Sequence, residues 1–146
     1  MRAHPEDRSP ARRRLRTVRF PLGLPGFPRA SRFTLQRADL GPGPLLVMRS
    51  VDDPSVRFLV LPCADDALPI DRVELEAACA SHGLRPEQVT VLLVVGGQSH
   101  GIGPAGPGLC ANRRAPILLD TARAIGVQHV LDNPDYQVRW PLPLAA

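Results

Sequence analysis

The chain has no lysine: all 18 of its basic side chains are arginine. That removes a Walker-type phosphate loop, a Schiff-base lysine and a serine–lysine dyad from consideration. It has no C-x-x-C pair either. Cys63, Cys79 and Cys110 are odd in number and widely spaced, which argues against a zinc knuckle. The N-terminal arginines are not followed by the apolar stretch of a secretory signal, so the expectation is a cytoplasmic protein with reduced thiols. Each cysteine then reads as a small buried hydrophobe rather than a nucleophile. Aromatics make up only 4% of residues, so aliphatic packing must carry the core. No apolar run is long enough for a membrane-spanning helix, and no membrane partner is expected.

What is present points to one small β domain. The chain has 146 residues, 44% of them hydrophobic, enough for a single packed core. Proline (17) and glycine (12) favour many short elements joined by turns over a helix bundle. The net charge of +4 is unevenly placed. Residues 1–20 hold seven arginines against Glu6 and Asp7, and the remainder is close to neutral. Residues 1–13 therefore read as a disordered, arginine-rich tail ahead of a single domain over 14–146. Such a tail suits counterion-releasing contacts with nucleic acid, which keeps a tail-driven nucleic-acid binder as one alternative. The body lacks a basic face with interleaved aromatics, so no direct nucleic-acid contact is expected of it.

Apolar periodicity sketches the elements. Arg14–Phe20 alternates weakly as a strand, and Ser31–Arg37 alternates well, with Phe33 and Leu35 on one face. Between them Pro21–Pro28 is a turn cluster in which Pro25-Gly26 suits the centre of a type II turn. Leu45–Val51 and Val56–Leu61 flank Asp52-Asp53-Pro54-Ser55 as a hairpin, with Val56, Phe58 and Val60 on one face. Adjacent carboxylates in such a turn usually cap backbone amides. Asp71–His82 reads as one helix, with Asp71 as cap, Glu74 in a capping-box position and Gly83 at the C-terminal end. Gln88–Val95 reads as an interior strand and Gly96–Gly108 as a loop. Ala115–Asp120, Val127–Leu131 and Tyr136–Trp140 complete the strands. Short strands at regular spacing with one helix indicate an antiparallel barrel or sandwich.

Two strings imitate catalytic motifs. Gly97-Gln-Ser-His-Gly101 matches G-x-S-x-G, and Ser99, Asp120 and His129 follow the hydrolase triad order. Gly101-Ile-Gly-Pro-Ala-Gly106 matches G-x-G-x-x-G, with Asp120 near the distance of a ribose-binding acid. Both chemistries need a helix directly after the loop, and the glycines and prolines through Gly108 deny it. A small serine hydrolase using Ser99, Asp120 and His129 stays as a second alternative. The four histidines share no metal-ligand spacing, and no metal or cofactor is expected.

Three stretches together resemble the bacterial flagellar assembly factor FliW family. Phe20-Pro-Leu-Gly-Leu-Pro-Gly-Phe27 with Phe33-Thr-Leu35 is similar to the family's F-P-x-G-L-P-G-F and F-x-L. Arg49-Ser-Val-Asp-Asp-Pro54 with Phe58-Leu-Val60 is similar to S-V-x-D-P and F-L-V. Asn112-Arg-Arg-Ala-Pro-Ile-Leu-Leu-Asp120, with Gly126, Gln128 and Tyr136, is similar to N-L-x-A-P-I-V-I-N, G-x-Q-V and D-Y. The resemblance spans about residues 18–142 in family order. Arg113 and Arg114 depart from it, as does Asp120 in place of the last Asn. The arginine tail stands where the family's first strand is usual.

The resemblance implies a mainly β fold, a compact antiparallel β-barrel-like domain with one short α-helix. It implies no enzyme. The implied activity is binding flagellin in the cytoplasm and antagonising the RNA-binding translational regulator CsrA, which relieves repression of flagellin translation. Free, the protein is expected to be a monomer. The candidate partner contacts are Phe20, Gly23, Pro25, Gly26 and Phe27 of the turn cluster, Asp52 and Asp53, and Asn112 with Ala115 and Pro116. Several of these also suit a purely structural role, the glycines in setting turns and Phe20 and Phe27 in filling core.

Overall fold

Alternating apolar side chains give a strand a face to bury, and here the strands satisfy it by curling into a barrel. The computed structural model describes residues 16–38, 44–103 and 106–142, with side chains described outside 97–107. The expected tail over 1–13 and the side chain of Ser99 lie outside the described residues. In chain order the elements are β1 (Arg16–Arg19), β2 (Arg32–Arg37), β3 (Leu46–Ser50), β4 (Arg57–Cys63), α1 (Arg72–Ser81), β5 (Val89–Gly103), β6 (Gly106–Ala111), β7 (Ile117–Asp120), β8 (Ile125–Gln128) and β9 (Trp140–Pro141). They form one sheet in the order β4-β3-β2-β1-β8-β7-β5-β6-β9. Because β4 also pairs with β5, seven of the strands close into a ring. Every pairing is antiparallel except β1 with β8, which meet in parallel at Arg19 and Ile125.

Two apolar cores follow from the pleat. The barrel interior holds Val18, Phe33, Leu35, Met48, Val60 and Leu92, joined by Phe20, Ile117 and Leu119. The outer face of β5 and β7 holds Val91, Leu93, Val95 and Leu118, covered by α1 and by Leu131 and Tyr136, with half-buried Leu59 of β4 packed at the margin. Strand β5 is thus buried on both sides, which explains the unbroken apolar run from Val91 to Val95. Val56, Phe58 and Val60 share the inner side, as their alternation predicts.

The helix ends are built from named groups. Asp71 Oδ1 accepts from the amide of Val73 at 3.4 Å. Gly83, at φ +68°, lets the amide of Leu84 reach Cys79 O at 2.8 Å and that of Gly83 reach Ala80 O at 3.1 Å, a Schellman motif. Glu74 does not reach back to the Asp71 amide as a capping box would. Tyr136 Oη intervenes: it accepts from the Asp71 amide at 2.8 Å and donates to Glu74 Oε2 at 3.0 Å. Asn133 Nδ2 also donates to that oxygen, at 3.2 Å. The cap is therefore a relay through a residue more than sixty positions away.

Several sequence expectations change. Gly96–Gly108 is not a plain loop. Its backbone extends the β5–β6 hairpin, with a register shift between Gly97 and Ile102. Backbone ladder bonds need no side chain, and at a sheet edge proline is tolerated. The strand expected over Tyr136–Trp140 contracts to Trp140–Pro141, since Tyr136 is held by the helix relay instead. The strand expected over Val127–Leu131 shifts to Ile125–Gln128. Beyond it His129 and Leu131 donate their amides to Pro116 O and Arg114 O, at 2.9 and 2.7 Å. The first strand is present despite the arginine tail, because Val18 alone supplies its buried position.

Phe20 and Gly126 generate a sharp prediction. A Cβ on Gly126 would lie 2.7 Å from the Phe20 ring, which sits in the core at 5.4 Å from Phe33. Gly126→Ala should destabilise by about 1–3 kcal/mol in urea unfolding, and Phe20→Leu in the same chain should recover part of the loss. Tyr136→Phe should cost about 1–3 kcal/mol in the same measurement, by leaving the Asp71 amide and Glu74 without their shared partner.

Candidate functional site

The turn cluster after β1 makes one rim of the barrel through two successive reversals. The amide of Gly23 donates to Phe20 O at 2.8 Å, and that of Phe27 donates to Leu24 O at 2.7 Å. Gly26 at φ +85° supplies the conformation that a type II turn requires after Pro25. Gly23 at φ +69° also admits Pro28, whose carbonyl oxygen would stand 2.7 Å from any Cβ there. These residues are turn-makers first, and the turn projects Pro25, Gly26 and Phe27 outward.

Two grooves flank this turn. The first, about 380 Å³, runs between Leu24-Pro25 and the loop joining β6 to β7, with Asn112, Ala115, Val130 and Val138 on its walls. Val130 and Val138 are 57% and 55% exposed, so its lining is apolar and open. Arg114 and Gln128 place polar groups at its rim. The second, about 390 Å³, lies between Phe27 and the β3–β4 turn and includes Arg29, Asp52, Asp53 and Val56. Phe27 packs edge-on to Phe58, with centroids 5.5 Å apart, and Phe58 also lines the first groove. That aromatic pair sits between the two grooves.

The candidate residues divide by what they expose. Pro25, Asn112 and Ala115 meet in the first groove; Gly26, Phe27, Asp52 and Asp53 meet in the second. Phe20 and Pro116 are fully buried and offer no surface to a partner. Gly23 is buried beneath the turn. Asn112 Oδ1 accepts from the amides of Arg114 and Ala115, each at 3.1 Å, and so holds the loop. Asp53 Oδ1 accepts from the Ser55 amide and hydroxyl, at 3.2 and 2.6 Å, the turn chemistry expected of it. Asp52 forms an exposed ion pair with Arg32 at 2.8 Å.

Sequence reasoning missed Leu24 and Phe58, which lie in quoted motifs but read as core, and Val130 and Val138, which belong to no motif. It also left Arg113 unexplained. That guanidinium stacks between Tyr136 and Trp140, 4.9 and 4.8 Å from their centroids, and donates to Pro69 O at 2.6 Å. The arginine replaces an apolar side chain by filling an aromatic slot as a flat cation.

The hydrolase constellation is not assembled by Asp120 and His129. The buried Asp120 carboxylate accepts from the amides of Ala122 and Arg123 and from Arg123 Nε, at 3.0, 3.0 and 2.8 Å. Those bonds, led by the Arg123 side chain, hold it below the usual carboxylate range. His129 Nδ1 instead meets His82 Nε2 at 2.9 Å, at the C-terminal end of α1. Burial pushes the Cys63 thiol up to about 11, and burial followed by Glu76 raises that of Cys79, against nucleophilic use of either. Among the described residues no three His, Cys, Asp or Glu side chains gather to hold a metal ion. No helix among them is long and apolar enough to cross a membrane.

Comparison with known proteins agrees with this architecture. A family sequence profile described as "FliW protein" matches residues 11–142. The flagellar assembly factor FliW of Azoarcus sp. (strain BH72) is 28% identical over 119 residues, covering 81% of this chain and 82% of that protein. The flagellar assembly factor FliW of Carboxydothermus hydrogenoformans is 29% identical over 128 residues, covering 86% of this chain and 78% of that protein. A crystal structure of a flagellar assembly factor FliW superposes with a TM-score of 0.60 at 23% identity, covering 98% of this chain and 91% of the other, a likeness of fold.

The histidine pair predicts a pH dependence. Burial, then the neighbouring His82, lowers the pKa of His129 from its ordinary 6.5. The unfolded chain therefore binds more protons once pH falls below that value. Stability from this group is complete above about pH 6.5 and is lost as pH falls through the lower folded value. Urea midpoints should decline between neutral and mildly acidic pH, and His129→Gln should flatten that decline.

Proposed function

The chain belongs to the FliW family of flagellar assembly factors, and on that premise we propose that it binds flagellin in the cytoplasm and binds the translational regulator CsrA in competition with it. The observation that carries this reading is the pair of grooves flanking the Pro25–Phe27 turn. They are formed by the same segments that carry the family-like motifs. Their walls combine exposed apolar side chains with a few polar groups, the makeup of a site for segments of another polypeptide.

Competition needs no moving part. If both partners cover one rim, occupancy by flagellin lowers the fraction free for CsrA in proportion to free flagellin and the two affinities. Accumulated flagellin then releases CsrA to repress further synthesis, and exported flagellin frees the factor to sequester CsrA. The rigid rim suits this, since pre-formed grooves spare the ordering cost that a flexible binder meets on association.

Calorimetric titration of the purified protein with flagellin and with CsrA tests the reading. Both should bind, and saturating flagellin should abolish or strongly weaken CsrA binding. Val138→Arg, which fills the first groove with charge at an exposed position, should weaken at least one partner tenfold or more, about 1.4 kcal/mol, with an unchanged melting temperature. Binding of neither partner would remove the proposal, and simultaneous, independent binding would remove the competition.

A further inference from the structure

A third groove, about 560 Å³, lies on the outer face of β2, β3 and β4 and shares Phe58 with the first groove. The register defines its surface. Thr34, Arg49 and Arg57 stand in one row across the three strands, and Gln36, Val47 and Leu59 stand in the next. Phe33, Leu35, Met48, Phe58 and Val60 take the alternate, inner positions, so both rows face outward. Arg37 closes the end of the groove. Half-buried Val47 and Leu59 form an apolar floor, with exposed Arg49 and Arg57 in the neighbouring row and exposed Arg37 at the end.

Arg49 and Arg57 are direct cross-strand partners, an arrangement of like charges that destabilises a sheet. Among the described residues the ion pairs are Arg32–Asp52 and Arg123–Asp120, and neither relieves the groove. A cost accepted on an exposed face is offset when an anion is shared between the two forks. We infer that this groove is a docking site for an extended acidic peptide segment of a partner protein. Its carboxylates would meet Arg49 and Arg57, and its apolar side chains would rest on Val47 and Leu59.

Charge and shape select that occupant. Residues 1–15 ahead of β1 carry five arginines against two acids, so like charge disfavours them as the occupant. Single-stranded RNA would match the charge but needs aromatic platforms for its bases. Phe58, the aromatic among the lining residues, packs its ring against Phe27 and Phe33 at 5.5 and 6.2 Å. An extended peptide alternating acidic and apolar residues matches both the guanidinium rim and the apolar floor.

Fluorescence anisotropy on the full chain decides it, with three labelled probes: a short peptide alternating glutamate and leucine, the same peptide with glutamine for glutamate, and a single-stranded RNA oligonucleotide. The acidic peptide should bind best, weakening as salt rises. Arg49→Gln with Arg57→Gln should weaken it about tenfold or more, while the melting temperature holds or rises because the like-charge opposition is gone. The arginine tail is common to both proteins, so the difference between them reports the groove. Should the double variant unfold, Arg57→Gln alone should still weaken the peptide about threefold or more. An acidic peptide bound no better than its glutamine version, or unaffected by the substitutions, overturns the inference. RNA bound more tightly than the acidic peptide, with the same arginine dependence, overturns it in favour of a nucleic-acid surface.

Discussion

Strand β5 pairs with β4 along one edge and with β7 and then β6 along the other, and this double pairing closes the barrel. Its inner side chains, Leu92 and Val94, complete the interior with Phe33, Met48 and Ile117. Its outer side chains, Val91, Leu93 and Val95, create the second core onto which α1 docks. One strand thus anchors two apolar layers. Closure also removes most of the free sheet edge that would otherwise invite pairing with other chains.

The candidate surfaces are consequences of that closure. Because β7 and β6 share one edge of β5, the chain between them must leave the ladder, and Asn112 Oδ1 stitches the resulting loop by accepting hydrogen bonds from two backbone amides. Pro116 O and Arg114 O then receive the segment after β8, which brings Val130 to the rim. On the other side Phe20 is drawn into the interior over Gly126, which fixes where the turn cluster begins. A turn anchored by a buried aromatic and a loop stitched by one amide side chain present stiff grooves. For binding to another polypeptide as proposed, such pre-formed grooves would limit the entropy lost on association.

Much of the fold was legible along the chain. The alternation in Ser31–Arg37, the turn between β3 and β4, the glycine after α1 and the unbroken run of β5 each follow from local chemistry and recur in the structure. The failures share one cause. Glu74 sits at capping-box spacing, yet its partner is Tyr136, beyond any local window. Gly96–Gly108 has loop composition, but its two halves pair with each other as a hairpin extension, with backbone hydrogen bonds that composition does not encode. Arg113 breaks an apolar pattern and was unreadable until Tyr136 and Trp140 stood on either side of it.

The candidate site shows the same division. Turn geometry at Pro25-Gly26 and amide capping by Asp53 are decided within a few residues, because φ preferences and short side-chain bonds act locally. The sequence alone therefore determined a β-rich chain with one capped helix, the positions of its reversals and its resemblance to a family. Which of those residues reach solvent was a tertiary matter: Phe20 and Pro116 went inward, Phe27 stayed at the surface, and Val130 and Val138, unremarkable in the sequence, became groove walls. Exposure depends on which strands become neighbours, and that is settled only when the sheet closes and both faces of β5 are covered.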